Sequence, residues 1–516
     1  MTEESAHGDE WFTGPQSSSD RRAAGGESCP VITDGGTDDE GVVRRDRFSG
    51  GPARSFLSSL AADERIFEAD LAVDRAHTVM LAEQGIIADD VAGEILTALD
   101  AIEVDGHDSL PDGEDVHEAI ETAVIERIGA DGGKMHTARS RNDEVAACIR
   151  YRLREDVLEA IETTLALRES LVDVADEHRE TIMPGYTHLQ PAQPTTVAHW
   201  ALAYEGAVRR DTERLCAAYE RINESPLGGA AFAGTTFDID RERTADLLGF
   251  DGVVENSMDA SSSRDFLLET VQALSTHATT LSGLAEDVII FANRGFVELS
   301  DDYSSTSSIM PQKKNPDTLE LVRAVAGDAA GSVQGLTTTL KGLPRAYNRD
   351  LQRATTHAWE TVDAVTEASE VAAGAVATAD WNEETLAAEA GEGFSTATGV
   401  ADLLAANGLP FRTAHELVAI AAETGADYDA LEAASQEVLG ESLEAHVDPD
   451  AVEDALDPAE SVASRDSQGG PAPEAVDAQL ETAREALATD DDAHAELTAA
   501  LETAHETLRS EVNGYV

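Results

Sequence analysis

Residues 267–288, LLETVQALSTHATTLSGLAEDV, carry an apolar stripe that predicts one long helix. An apolar residue recurs every three or four positions through the stretch, which is the period of one face of an α-helix. The stripe is formed by Leu267, Val271, Leu274, Ala278, Leu281, Leu284 and Val288. Because the period holds for about six turns, the stretch is typical of a helix in a bundle rather than of a strand.

Three other stretches repeat this period, at residues 153–165, 197–222 and 322–340. Helices of about 25 residues are roughly 37 Å long at 1.5 Å per residue, which suits the core of a helical bundle. Segments with the alternation of a half-buried strand are nearly absent. The fold class is therefore predicted to be all-α, with a central bundle of long helices.

A chain of 516 residues exceeds what one hydrophobic core usually organises, so several domains are expected. Residues 1–46 are rich in Gly, Ser, Asp and Glu and are predicted to form a disordered acidic N-terminal tail. Residues 47–138 are predicted to form an N-terminal helical domain, and residues 139–385 the central long-helix bundle with its polar loops. Residues 386–516, with shorter helical patterns, are predicted to form a smaller C-terminal helical domain.

The charge is strongly unbalanced, with 101 acidic against 36 basic residues and a net charge of −65. Such a field repels nucleic acid and anionic membrane surfaces, so neither is expected as a partner. The acidic residues are spread over periodic, apolar-containing segments, which indicates a folded protein with an acidic surface. Low lysine with abundant Asp and Glu indicates a salt-rich, halophilic cytoplasm, where charges are screened over about 3 Å at 1 M salt.

The cellular compartment is predicted from the cysteines and from apolar runs. Cys29, Cys148 and Cys216 have neither disulfide-type nor metal-type spacing, which favours a reducing compartment. The first residues lack the basic and apolar regions of a signal peptide, and no run approaches the ~18 apolar residues of a membrane span. A cytoplasmic location is expected.

Polar loops separate the helical patterns at residues 134–143, 183–196 and 301–317. The third contains SSTSSIMPQKKNPD (304–317), with Lys313 and Lys314 adjacent in a chain that has only four lysines. Hydroxyls, fixed cations and an amide on one loop suit an anionic substrate whose charge grows during the reaction. The alternative is a solvated turn before a helix that begins at Pro316. In the first loop, Asp143 is expected to cap the helix that follows.

The second loop contains three prolines, so it is not a helix interior, and it presents His188 beside Thr187. A lone histidine is often structural or merely solvated, but next to hydroxyl and amide groups it is a candidate for proton transfer. Glu320 lies one helical turn beyond the loop of residues 301–317, called the lysine loop below. Its carboxylate could orient His188 and favour the protonated form of the imidazole. Without His-x-x-x-His, paired cysteines or Gly-x-Ser-x-Gly, the sequence supports neither metal catalysis nor an acyl-transfer serine at Ser307.

These groups together suit carboxylate binding and removal of a proton from the carbon next to it. Proton removal at that carbon creates a dianionic aci-carboxylate, and Lys313 and Asn315 could stabilise the new charge.

The stretch SSIMPQKKNPD (307–317) resembles the signature loop of the fumarase/aspartase superfamily. Three further stretches are similar to the argininosuccinate lyase family within it: HTARSRND (136–143), GYTHLQPAQP (185–194) and LPRAYNRDLQ (343–352). With NSMDASSSRDF (256–266) and GGPAP (469–473), the resemblance runs from about residue 47 to the C-terminus.

The resemblance implies a three-domain fold and cleavage of argininosuccinate to arginine and fumarate, the last step of arginine biosynthesis, without a metal or organic cofactor. It also implies a homotetramer whose sites are shared between subunits; the structural alternative is that the loops of one chain meet within a monomer. Competing functions are another lyase of the superfamily, such as adenylosuccinate lyase or aspartase, or a non-catalytic structural relative, as among lens crystallins.

By the same resemblance, Ser307 is the catalytic serine, His188 with Glu320 is the second acid/base residue, and Lys313 holds the carboxylate where charge develops. Ser307 is the favoured base, and the reverse assignment to His188 stays open. The implied substrate-binding residues are Ser59, His117, Ser140, Arg141, Asn142, Thr187, Asn315, Tyr347 and Gln352.

The sequence departs from the family pattern at three positions. Thr306 and Ala138 stand where the family usually has glycine, and glycine would allow a positive φ. Thr355 stands in the place of a substrate-binding lysine, for which Arg353 is close enough to substitute. These departures bear on loop motion and substrate affinity more than on the type of reaction.

Overall fold

The computed structural model describes residues 52–516, and its secondary structure is mainly helical, as the sequence predicts. The predicted disordered tail lies outside the described residues.

Four helices occupy the region before residue 129. The turn between the last two of these helices ends at Asp115, whose carboxylate accepts a hydrogen bond from the Glu118 N–H and so caps the fourth helix. Gly129, with a φ of 82°, ends that helix. The helices are α1 (Pro52–Leu57), α2 (Phe67–Glu83), α3 (Asp89–Asp105) and α4 (Val116–Ile128).

Long helices form the centre of the molecule, and each of the five longest there packs against others of the set. All seven residues of the stripe in 267–288 are buried, so the prediction of a long bundle helix is confirmed. The helices of this region are α5 (Arg141–Glu177), α6 (Val197–Ile222), α7 (Arg241–Leu247), α8 (Ser257–Ser262), α9 (Asp265–Arg294), α10 (Asp317–Leu340) and α11 (Ala354–Ala377).

The remaining helices follow in two groups. Those between residues 397 and 456 enclose a hydrophobic cluster of their own, which includes Leu404, Leu417 and Leu431. The last helix packs along α5 and α6. The boundaries of the three domains stay predictions. The helices are α12 (Glu383–Ala390), α13 (Ala397–Ala406), α14 (Phe411–Thr424), α15 (Tyr428–Val438), α16 (Pro449–Leu456), α17 (Pro458–Ala463) and α18 (Pro473–Asn513).

Strands in the described chain are short and form four two-stranded pairs. The largest is an antiparallel hairpin that spans the proline-rich loop, where Pro184 lies opposite Pro194. The others are a parallel pair, β3 with β4, and two antiparallel pairs, β5 with β8 and β6 with β7. The strands are β1 (Ile182–Thr187), β2 (Gln190–Thr196), β3 (Glu224–Ser225), β4 (Gly252–Val253), β5 (Val297–Glu298), β6 (Ser305–Thr306), β7 (Lys314–Asn315) and β8 (Asp380–Trp381).

Among residues 52–516, no helix combines the length and the apolar character that crossing a bilayer requires.

Candidate active site

A cavity of about 630 Å³ lies where α5 and α9 begin and where the chain returns after α10. Its wall is built from segments that are far apart in sequence, around residues 56–66, 114–117, 141–149, 264 and 347–359. Several predicted substrate-binding residues line it together: Ser59, His117, Arg141, Asn142, Tyr347 and Gln352.

Hydrogen bonds to neighbouring segments fix the polar groups of this wall. The Ser59 hydroxyl donates to Asp63 Oδ2 at 2.7 Å. The Gln352 side-chain amide donates to the Leu57 carbonyl at 3.1 Å, and so ties residues 347–353 to α1. The wall is therefore held in place before any ligand arrives, which lowers the entropy lost on binding.

The start of α5 sets the directions of Arg141 and Asn142. Ser140 is the N-cap of this helix, and its Oγ accepts a hydrogen bond from the Asn142 N–H. Asp143 was expected to be the cap, but it is the third helical residue, and its carboxylate accepts from the Ser140 N–H at 2.9 Å to complete a capping box. Ser140 is not part of the described lining of the cavity, and its substrate contact stays a prediction.

Carboxylates also line the cavity, and the sequence reasoning missed them. They are Asp63, Glu114, Asp115 and Asp350. Burial raises the pKa of Asp63, although the charge of His117 opposes the shift. A wall that presents both carboxylates and hydrogen-bond donors can hold a cationic group of a ligand at one place and an anionic group at another.

A buried network of ionisable groups supports the wall behind His117. Its imidazole Nδ1 lies 2.8 Å from Asp70 Oδ1, and Arg139 bridges Asp74 and Glu144, the latter at 3.0 Å. Burial alone would lower the pKa of His117, but the charge and hydrogen bond of Asp70 outweigh it and raise the pKa to about 10. His117 is therefore a cation at neutral pH.

Two neighbours of this network have their pKa values shifted in opposite directions. Burial raises the pKa of Glu144 to about 8, and burial together with the charge of Arg139 lowers the pKa of His136 to about 3. Ligand atoms of Asp70, His117 and Cys148 lie within 4.8 Å of one another, a spacing that a metal ion could use. Within the same network, Arg139 pairs with Asp74 and Glu144, and His117 pairs with Asp70.

The hairpin of β1 and β2 presents Thr187 and His188 at an exposed tip. His188 and Leu189 both have a φ of 57°, as in the two-residue type I′ turn that joins tightly paired strands. Non-glycine side chains are strained in this conformation, and such strain is common at functional sites. The Leu189 side chain is 67% exposed, so an apolar group stands in solvent beside His188.

The lysine loop closes into a small hairpin, in which β6 pairs with β7. The Ser307 Oγ lies at its turn and accepts hydrogen bonds from the N–H groups of Ile309 (3.3 Å) and Met310 (3.1 Å). The adjacent lysines differ: Lys314 Nζ binds Asp301 at 2.8 Å and Glu298 at 3.2 Å, whereas Lys313 has no ion pair among the described residues. Asn315 lies in β7, and Glu320 is exposed on the first turn of α10.

The bundle separates the residues that line the cavity from those on the His188 hairpin and the lysine loop. The cavity lies where α5 and α9 begin, whereas the His188 hairpin follows the end of α5 and the lysine loop follows the end of α9. With 37 and 30 residues, α5 and α9 are about 55 Å and 45 Å long at 1.5 Å per residue. Six predicted site residues do not line the cavity within the described part of one chain: Thr187, His188, Ser307, Lys313, Asn315 and Glu320.

The three departures from the family pattern have different structural consequences. Thr306 lies in β6, paired with Lys314, and is not one of the described residues with a positive φ. Ala138 does have a positive φ, of 65°, so the missing glycine leaves strain there. Thr355 and Arg353 both line the cavity.

Comparison with known proteins places the chain in a family. A family model described as lyase matches residues 53–331, and one described as argininosuccinate lyase C-terminal matches residues 394–463. The chain is 67% identical to an argininosuccinate lyase of Haloarcula marismortui, covering 93% of this chain and 97% of that protein. It is 70% identical to an argininosuccinate lyase of Natronomonas pharaonis, covering 93% and 98%.

A solved structure of an EDDS lyase variant with bound fumarate is 33% identical, with a TM-score of 0.79, and covers 90% of this chain and 96% of that one. The helical bundle and its signature loop thus define a lyase of the fumarase/aspartase superfamily. Within that superfamily, the chain belongs to the argininosuccinate lyase family.

Proposed function

We propose that the protein cleaves argininosuccinate to L-arginine and fumarate, the last step of arginine biosynthesis, in the cytoplasm. The observation that carries the proposal is that Ser59, Arg141, Asn142, Tyr347 and Gln352, from separate segments, line one cavity. The names of relatives at 67–70% identity support the same substrate.

The arginine half of the substrate is proposed to occupy the cavity. Asp63, Glu114 and Asp115 on its wall suit the cationic guanidinium and ammonium groups of that half. The succinyl half carries two carboxylates, which suit Lys313 and Asn315 rather than an acidic wall.

The proposed reaction is a β-elimination. A base removes a proton from the succinyl methylene carbon, the neighbour of the carbon that bears nitrogen, and the electrons left behind spread into the carboxylate on that methylene as a dianionic aci-carboxylate. These electrons then form the double bond of fumarate as the C–N bond breaks, and the bond pair leaves on the guanidine nitrogen. Protonated His188, or a water it orients, gives that nitrogen a proton, which balances the proton that the base took from the methylene carbon.

Ser307 is proposed as the base and Lys313 as the main stabiliser of the aci-carboxylate. The N–H groups of Ile309 and Met310 that donate to Ser307 Oγ would stabilise the alkoxide form of the serine. Since Lys313 has no carboxylate partner in the described chain, its charge is available for the substrate.

The active protein is proposed to be a homotetramer whose sites combine residues of several subunits. The cavity and the two catalytic hairpins lie at opposite ends of the helices in one chain, which favours contributions from other copies. Exposed, uncharged positions on α9 and α10 supply a suitable interface in a chain of −65 net charge: Gln272, Thr276, Thr279, Gly283, Ala330, Gly331, Gln334 and Thr337.

The direct test is release of fumarate from argininosuccinate at high KCl concentration, with the Ser307→Ala variant as the control that should be inactive. Release from adenylosuccinate or aspartate instead would assign the chain to another lyase of the superfamily. A folded protein that is inactive on every succinyl substrate would favour the structural relative.

A further inference from the structure

We propose that Arg264 binds the α-carboxylate of the arginine half of the substrate, an inference that rests on the proposed function. Arg264 immediately precedes α9, lines the cavity and is only 3% exposed. The sequence reasoning assigned it no role.

Arg264 forms no ion pair with a carboxylate among residues 52–516. Its Nη1 donates to the Ser263 carbonyl at 2.7 Å, and its Nε is buried without a hydrogen-bond partner. Two other arginines of the cavity are paired, Arg141 with Asp115 and Arg349 with Glu114. Among residues 52–516, Arg264 therefore differs from Arg141 and Arg349, because no carboxylate lies within 4 Å of its guanidinium group.

A second buried arginine, Arg150, lies beside Arg264, and the charges of Asp265, Glu224 and Asp259 offset part of its own charge. Arg150 Nη2 donates to Ser263 Oγ at 3.4 Å, so both guanidinium groups contact the same residue. Burial and, second, the charge of Arg150 lower the pKa of Arg264 to about 10. A buried cation without a counterion is unfavourable, and a ligand carboxylate would relieve this through paired N–H···O bonds.

The α-carboxylate is the group of the arginine half that fits. It is the only anionic group of that half, whereas the guanidinium and ammonium groups suit Asp63 and Asp115. Tyr347, which shares the wall with Arg264, is close enough for each charge to influence the other's pKa. Arg353 also lines the cavity but is exposed, so water already solvates it.

The competing explanation is structural: Arg264 could serve only to hold the corner between α8 and α9 through the Ser263 carbonyl. A structural role predicts equal effects of substitution on ligands with and without a carboxylate. A binding role predicts a loss that is confined to ligands with the carboxylate.

The experiment compares arginine with argininamide, in which a neutral amide replaces the α-carboxylate, as inhibitors of fumarate release. We expect the wild-type protein to bind arginine at least about tenfold more tightly, a difference of roughly 1.4 kcal/mol. In Arg264→Met this preference should disappear, with argininamide and fumarate inhibition unchanged. The matched control is Arg345→Met, since Arg345 is exposed and pairs with Asp259; it should keep the preference.

Equal binding of the two ligands by the wild-type protein, or a preference that survives in Arg264→Met, would overturn the proposal. If that variant does not fold, a crystal structure of the wild-type protein with arginine decides. A carboxylate in contact with the Arg264 guanidinium supports the proposal, and one held elsewhere overturns it. Failure of the wild-type protein to cleave argininosuccinate would instead show that the proposed function is wrong.

Discussion

The two adjacent lysines of the signature loop, Lys313 and Lys314, differ in their ion pairs. Lys314 is held by Asp301 and Glu298, whereas Lys313 has no ion pair in the described chain. A paired ammonium group is partly neutralised before substrate binds. The loop therefore has one lysine that closes the hairpin and one that is free to meet a substrate carboxylate.

Replacing Lys313 by alanine should lower kcat more than it raises KM, because the charge it meets is largest in the transition state. We expect kcat to fall by about 10²–10³, as when one stabilising donor is removed from an oxyanion site. Steady-state kinetics of fumarate release measure both constants. Lys314→Ala is the control and should have a much smaller effect; a Lys313→Ala variant that lost only affinity would refute the role.

Ala138 lies between the buried Arg139 and Thr137, with a φ of 65° that alanine adopts only with strain. Ala138→Gly should therefore raise the free energy of unfolding by about 1 kcal/mol. Chemical denaturation measures the change. The same substitution at Ala495, exposed within α18, should lower stability by about 1 kcal/mol. A destabilised Ala138→Gly variant would show that this strain is absent.

Which single residues the sequence could predict depended on their rarity. Lys313 and Lys314 stand out because the chain has only four lysines, and His188 stands out because it lies beside Thr187 and Gln190. Asp63, Asp70 and Glu144 do not stand out among 101 acidic residues. Arg264 was missed because it is notable for having no ion pair with a carboxylate, and ion pairs depend on tertiary contacts that the sequence does not show.

Helices were predictable as elements, because burial of one face leaves a period of 3.6 residues in the sequence. The His188 hairpin was not predicted as a hairpin. Its turn residues, His188 and Leu189, are not the glycine or asparagine that usually mark a type I′ turn, and its prolines indicated only that a helix was impossible. The strain at this tip is imposed by the strands on either side.

His117, in α4, should make the free energy of unfolding depend on pH. The folded pKa of His117, about 10, lies above its unfolded value of 6.5, so the folded state binds the proton more tightly. Its stabilising contribution is complete below pH 6.5 and is lost as pH rises through 10. The charges of Asp70, then of Glu144 and Asp115, favour the protonated form of His117, and burial opposes it.

Between pH 8 and 10, where Glu144 has already titrated, the free energy of unfolding should fall by on the order of 2 kcal/mol in the wild-type protein. In His117→Gln this decline should be largely absent, while the exposed control His415→Gln should keep it. Denaturant midpoints at several pH values measure the effect. An identical decline in His117→Gln would contradict the account of this network.

At the scale of the whole molecule, the net charge of −65 governs behaviour in salt. Screening lengths grow from about 3 Å at 1 M to about 10 Å at 0.1 M, so self-repulsion increases as salt is removed. We predict that stability falls on dialysis from multimolar KCl to about 0.1 M, measured by thermal unfolding. The variant with Asp491→Asn and Asp492→Asn, two exposed positions on α18, should need less KCl. Unchanged stability at low salt would contradict this.

The arrangement of the bundle is the basis for the proposal that sites are shared between chains. The proposed substrate-binding groups lie at one end of its helices and the proposed proton-transfer groups at the other, about 36 Å apart along the 24 residues of α10. Sequence motifs predicted which residues matter, and long apolar stripes predicted a bundle. The family resemblance implied sites shared between subunits, but neither the motifs nor the stripes contain the directions in which separate copies pack.

The most direct test of the shared site mixes two inactive variants, Ser307→Ala and Arg141→Met, by co-expression. If the cavity and the lysine loop of each site come from different chains, mixed oligomers contain some sites with both residues intact. We predict recovery of up to about a quarter of wild-type fumarate release with equal random mixing. Mixed oligomers that form but stay as inactive as either variant alone would contradict the account.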